Sequence, residues 1–252
     1  MIHALTALAA TFAHPAGEQA RFASCTALVK SAPEKAIEDA NAWRLNGGGL
    51  LARQCLGLAY AALERWAPAA TAFEQAAKDA ELAKDGRGAD LWVQSGNSWL
   101  AAGEGAKARQ AFDAALASTA LAGELRGEVH LDRARASVLL NDTGAARADI
   151  DKGLALVPSD PFAWYLSSAL ALREEKLARA REDIAKALAL APKEPQLLLH
   201  AGNVAGSGGE TEAALDFYRK AAHAGPNTPA AKAAQAAIAA NSASPQAKPA
   251  QK

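Results

Sequence analysis

Three proline pairs constrain what this chain can fold into. The stretches ALVPSDP (155–161), ALAPKEP (189–195) and AHAGPNTP (222–229) each hold a P-x-x-P, and the first prolines, Pro158, Pro192 and Pro226, stand 34 residues apart both times. A fixed period of this size is the mark of a repeat architecture, in which each module covers its apolar face only against its neighbours. The first proline of each pair ends a helix, because it cannot continue the hydrogen-bond ladder and disfavours helical geometry in the residue before it. The second, Pro161 or Pro195, opens the next helix at a position where its missing N–H is harmless. Pro229 opens a last helix, expected over 228–241.

With Pro158 at position 32 of a 34-residue unit, the units 127–160, 161–194 and 195–228 are contiguous. Positions 20, 24 and 27 then read Ala146, Ile150, Gly153; Ala180, Ile184, Ala187; and Ala214, Tyr218, Ala221. Small, large, small recurs on one helix face, where the small residues let a neighbouring backbone approach. Upstream, the same template fits 89–122, with Trp92, Gly96, Trp99, Ala108, Phe112 and Ala115, and 50–83, with LGLAY at 56–60 followed by Ala69, Phe73 and Ala76. A degenerate unit, 17–49, keeps the helical period but has Ala40 at position 24 and Trp43 at 27.

This pattern resembles the tetratricopeptide repeat (TPR), whose W-x2-L-G-x2-Y…A-x3-F…P signature the five units match in staggered portions. The resemblance implies an all-α fold: a right-handed α-solenoid of five to six helix-turn-helix units plus a C-terminal capping helix. It covers 17–240, with 229–240 as the cap and 241–252 as a disordered tail rich in Pro, Ala and Lys. The helix pairs are expected at 18–31 and 34–46, 50–63 and 67–83, 88–102 and 105–118, 122–140 and 143–157, 161–174 and 177–190, and 195–207 and 210–224. Each first helix of a pair would line a concave groove, as the family resemblance implies.

Composition agrees with helices and excludes several functions. Half the residues are apolar but only 6% are aromatic, so the core must come from close contacts between alanine-rich helices. Lys plus Arg equals Asp plus Glu at 27 each, without the basic excess that nucleic-acid binding calls for. The five histidines are scattered, with no metal-ligand spacing and no C-x-x-C, so neither a metal nor a cofactor is expected. Gly47-Gly48-Gly49 lacks the Lys-Ser/Thr of a phosphate loop and reads as a turn between units. The Asn141–Gly144 stretch reads as a turn with an N-cap, and Glu174-Glu175 as a turn rather than a catalytic dyad. His130 is expected in or near the core.

The apolar segment from Ala4 to Ala13 is too short to span a bilayer, which takes ~20 residues. It matches the core of a secretory signal, with cleavage near Ala13 or Ala16, although no Lys or Arg precedes it. Residues 1–16 are therefore expected to be a signal peptide or an unstructured start, and the chain a bacterial, exported, periplasmic protein; a cytoplasmic one is the alternative. Cys25 and Cys55, thirty residues apart, differ from one full period by about one helical turn and can face each other on successive first helices. A disulfide is therefore expected there, in keeping with an oxidising compartment; two buried thiols acting as small apolar side chains are the alternative.

By resemblance to the family, positions 2, 5, 6, 9, 12 and 13 of each first helix face the groove. That selects Gln94, Asn97, Asp132, Arg135, Phe162, Tyr165, Arg173, Gln196, His200 and Asn203. Amides and arginines suit a peptide backbone or its carboxylates, and the two rings suit its side chains. The family subtype that grips acidic chaperone tails is disfavoured, because Val93, Asn97, Asp132, Phe162 and Leu166 match its clamp at one position of five. The expected function is a non-enzymatic scaffold or adaptor holding a protein or peptide partner. The rivals are a structural subunit using its convex face or ends, an accessory domain to an enzyme on another chain, and a small-molecule or peptidoglycan binder using Tyr165 and Arg135.

Overall fold

In the computed structural model, which describes residues 16–121 and 123–243, every regular element is a helix. The chain divides into two compact units at Ala122/Gly123. The first holds α1 (Ala16–Ser31), α2 (Pro33–Leu45), α3 (Gly49–Ala62), α4 (Trp66–Leu82), α5 (Gly88–Ala101) and α6 (Gly105–Ala117). The second holds α7 (Gly123–Leu139), α8 (Thr143–Leu156), α9 (Pro161–Arg173), α10 (Leu177–Leu190), α11 (Pro195–Ser207), α12 (Thr211–Ala224) and α13 (Pro229–Ala243). The fold is an all-α solenoid. Helix ends fall within two residues of those expected from the period. The division into two units is not visible in the period, and it falls at the four residues between the frames 89–122 and 127–160. Those residues form the first turn of α7, which has 17 residues where α9 and α11 have 13. The expected signal segment and most of the expected tail lie outside the described residues; 241–243, expected in the tail, continue α13.

Within each unit the packing follows from the small-large-small register. Phe73 and Phe112 are buried between Ala69 and Ala76 and between Ala108 and Ala115, and Ile150, Ile184 and Tyr218 occupy the same place in later repeats. In the three repeats with an aromatic ring at position 24, position 8 is glycine. A Cβ on Gly57 or Gly202 would fall inside contact distance of the Phe73 or Tyr218 ring. Where position 24 is the slimmer Ile150 or Ile184, position 8 is Ala134 or Ser168.

The turn inside each hairpin repeats as faithfully as the core. Glu64, Gly103, Asn141, Glu175 and Gly209, all at position 15, have φ between 55° and 77°, in the left-handed region. The amide after each donates five residues back, as in Arg65 N to Tyr60 O at 2.9 Å and Lys176 N to Ala171 O at 2.9 Å. This closes the first helix with the bond of a Schellman cap. The residue type at position 15 varies, so the sequence does not announce this geometry. Asp142 caps α8 by accepting from Ala145 N at 3.0 Å, and Glu174 closes α9.

Near the chain start, Cys25 and Cys55 are joined by a disulfide between α1 and α3, with Cα atoms 6.3 Å apart. Trp43 is buried at the end of α2, with the Arg21 guanidinium 5.0 Å from its ring centre.

Candidate functional site

A groove runs along the second unit, built on α7, α9, α11 and α13. Three depressions make it up. The first, of about 420 Å³, has Glu128, Asp132 and Arg135 of α7 on one wall, with Phe162 and Tyr165 of α9 opposite. Asp160, just before α9, and Gln196, at the start of α11, close it. The second, of about 260 Å³, shares Arg135 and Leu166 with the first and is otherwise mostly apolar, with Val138, Ile150 and Leu170 on its walls and Arg173 at its edge. The third, of about 560 Å³, begins at Tyr165 and Gln196 and reaches α13 past Leu199, His200 and Asn203.

Eight of the ten groove residues expected from the repeat frame line these depressions. Gln94 and Asn97 are not among them: they lie on α5 of the first unit, Gln94 half-buried and Asn97 exposed. Phe162 is 42% exposed and meets Tyr165 edge-on at 6.4 Å between ring centres. Tyr165 in turn stands edge-on to His200 at 5.1 Å. Arg135 Nη1 donates to Asp132 Oδ1 at 2.9 Å, one helical turn away, and Arg173 Nη2 donates to Asn141 Oδ1 at 2.5 Å. Asn203 Oδ1 accepts from the Tyr218 hydroxyl at 3.0 Å.

His200 is the one buried residue among these eight. It is 7% exposed and sits on the floor of the third depression. Its Nε2 lies 2.9 Å from Ser168 Oγ, and that hydroxyl gives its only hydrogen to Ala180 O at 2.7 Å. Nε2 must therefore be the donor to Ser168, which leaves Nδ1 as the acceptor nitrogen. Burial drives the imidazole pKa down to about 4, against a smaller upward push from the Ser168 main chain, so the ring is neutral at pH 7. A serine hydroxyl committed to a main-chain carbonyl, beside a histidine that donates to it, is not an activated nucleophile.

The groove is more acidic than the ten selected residues, of which Asp132 alone is a carboxylate. Glu128 at position 2, Asp160 at position 34 and Glu194 at position 34 also line it. Two of these precede a helix rather than lie on one, which is why a template of inward helix positions omits them.

Another charged cluster lies under α7 and α8. Asp149 is buried between His130, whose Nδ1 is 3.0 Å from Oδ1, and Arg133, whose Nη2 is 2.6 Å from the same oxygen. Burial opposes ionisation of Asp149, but the hydrogen bonds from Arg133 and His130 outweigh it and hold the carboxyl below its ordinary value. Burial lowers the His130 pKa in spite of that carboxylate. The cluster ties two helices together and does not open into the groove's depressions. Among the described residues no group of His, Cys, Asp or Glu is placed to hold a metal, and no helix is long and apolar enough to cross a membrane.

No family-level sequence model and no curated protein sequence matches the chain. Solved structures do. The chain is similar to PilW, described as a widely conserved type IV pilus biogenesis factor, at a TM-score of 0.69 and 18% identity over 88% of this chain and 99% of that one. It is similar to a chain of the APC/C hetero-tetramer Cut9-Hcn1 at a TM-score of 0.63 and 17% identity, over 86% of this chain but only 41% of that longer one. It is also similar to YrrB, described as a TPR protein with an unusual peptide-binding site, at a TM-score of 0.52 and 17% identity over 78% and 96% of the two chains. At these identities the likeness is one of fold, and the fold is that of TPR proteins.

Proposed function

We propose that the chain is a non-catalytic scaffold that holds an extended protein or peptide segment in the groove of its second unit. The observation that carries this reading is the run of three adjoining depressions along α7, α9, α11 and α13. They share Arg135, Leu166, Tyr165 and Gln196 at their borders, so one segment can occupy all three. Rings and aliphatic walls alternate there with polar groups able to bond a main chain. The Ser168 hydroxyl gives its hydrogen to Ala180 O and His200 Nε2 is bonded to that hydroxyl, so the pair is not arranged as a nucleophile and base, which supports a non-catalytic reading.

A bacterial, periplasmic location is part of the proposal. It rests on the signal-like residues 4–13 and on the bond between Cys25 and Cys55, which suits an oxidising compartment. Cell fractionation with N-terminal sequencing tests it; an intact Met1 on a cytosolic protein would end it.

A second reading, a subunit contacting through its other side, draws on Leu156 and Leu190. These hold position 30 in successive repeats and are 40% and 46% exposed. Photo-cross-linking in the native host separates the two. A photoreactive residue at Phe162 should capture a partner and one at Leu190 should not; the opposite pattern would replace the groove with the leucine edge.

A further inference from the structure

We propose that the segment held in this groove is basic: a Lys or Arg side chain fills the first depression and a neighbouring aliphatic side chain fills the second. This rests on the groove reading above and names the chemistry of its occupant.

The argument is one of charge left over. The chain as a whole is balanced, with 27 cationic and 27 anionic side chains, so a local excess is a feature of the place. Around the first depression stand three carboxylates, Glu128, Asp132 and Asp160, and a single guanidinium, Arg135. Arg135 is bonded to Asp132. Asp160 uses Oδ1 to accept from Phe162 N at 2.8 Å, which caps α9, and its other oxygen has no donor among the described residues. Glu128 is exposed and has no ion-pair partner among them. Glu194 adds another carboxylate at the edge of the third depression. The second guanidinium of the groove, Arg173, is bonded to Asn141.

A cation entering between Glu128 and Asp160 meets both carboxylates and the rings of Phe162 and Tyr165, which also attract positive charge. An anionic segment meets the same carboxylates at the first depression, where the one guanidinium, Arg135, is already paired with Asp132. Arg173, bonded to the neutral Asn141, stands at the second depression, so the groove keeps four carboxylates against two guanidinium groups. The adjoining apolar depression shares two lining residues with the first, so the basic and aliphatic side chains come from nearby positions of one extended chain. On the floor of the third depression, His200 Nδ1 is an acceptor with no donor among the described residues, in a side chain more than nine-tenths buried. It is placed for an N–H of the same segment.

The test uses the full chain and an array of nine-residue peptides on an Ala–Leu frame that differ at one central position, Lys, Arg, Gln or Glu, with affinity read by fluorescence anisotropy. Lys and Arg peptides should bind roughly tenfold tighter than Gln, and Glu more weakly still, the advantage shrinking with added salt. Glu128→Lys should remove or reverse this order while leaving the thermal transition unchanged, because Glu128 is exposed. Binding that prefers Gln or Glu, or that Glu128→Lys does not alter, would overturn the basic occupant and leave the peptide groove standing. Absence of binding to every peptide would overturn both.

Discussion

A Cβ built on Gly96 would stand 2.5 Å from Cε1 of Phe112, a ring with no exposed surface. The glycine of α5 and the ring of α6 therefore form one packing unit. Gly96→Ala gains helix propensity of up to ~1 kcal/mol but forces apart a closed contact costing ~1–3 kcal/mol. The expected result is net destabilisation of about 1–2 kcal/mol in urea unfolding. Ala134 opposite Ile150 shows how the chain relieves this elsewhere, so adding Phe112→Ile to Gly96→Ala should recover part of the loss. Equal or additive penalties in the double-mutant cycle would refute the coupling.

Cys25 is the only buried side chain described in α1; Phe22, Leu28 and Val29 are half-buried. The bond to Cys55 closes a separation of 30 residues, worth ~3–4 kcal/mol by loop-closure arithmetic. Reduction, or Cys25→Ser with Cys55→Ser, should release α1 first. Hydrogen exchange should show lost protection across 17–31 with α4 to α6 little changed. Two free thiols in protein purified from its native host without reductant would show that the bridge is not its working state.

The neutral His200 predicts a pH dependence with a definite sign. Its folded pKa, about 4, lies below the ordinary 6.5, so between these values the unfolded chain binds the extra proton. Stability from this group is complete above about pH 6.5 and is lost as pH falls toward 4, by ~2 kcal/mol between pH 7 and 5. His130, also lowered, acts in the same direction, and the depressed Asp149 adds a further loss at lower pH. His200→Gln should flatten the profile between pH 7 and 5 relative to the parent. Parallel denaturation profiles would show that the imidazole titrates normally.

Glu64 and Glu175 sit at φ 55° and 59°, where a side chain is strained and glycine is not. Gly103 and Gly209 hold the same position in two sister repeats. Glu64→Gly and Glu175→Gly should each raise stability by ~0.5–1 kcal/mol, measured as a shift in thermal midpoint. A loss in both would mean that those carboxylates have a stabilising role.

The fold was legible because a solenoid is local. Pro161 and Pro195 each stand at the first position of a helix, and Ala146-Ile150-Gly153 marks a buried face whose main partner is the helix just before it in the chain. Such contacts are fixed by neighbours in sequence, so a 34-residue period carries them. The left-handed turn at position 15 was hidden, since Glu, Asn and Gly all occupy it and the strain is offset by packing on either side.

The groove was legible in outline and misread in character. The sequence supplied the helices, their pairing and their period, and its resemblance to the repeat family placed Asp132, Arg135, Phe162, Tyr165 and Gln196 on inward positions. Only the tertiary structure decided that His200 is sealed on the floor, that Arg135 is bonded to Asp132, and that Asp160 and Glu194 reach the depressions from the turns. Helix register follows from the chain's own periodicity. Burial and net field at a point depend on side chains that several modules bring together, and no single repeat encodes them.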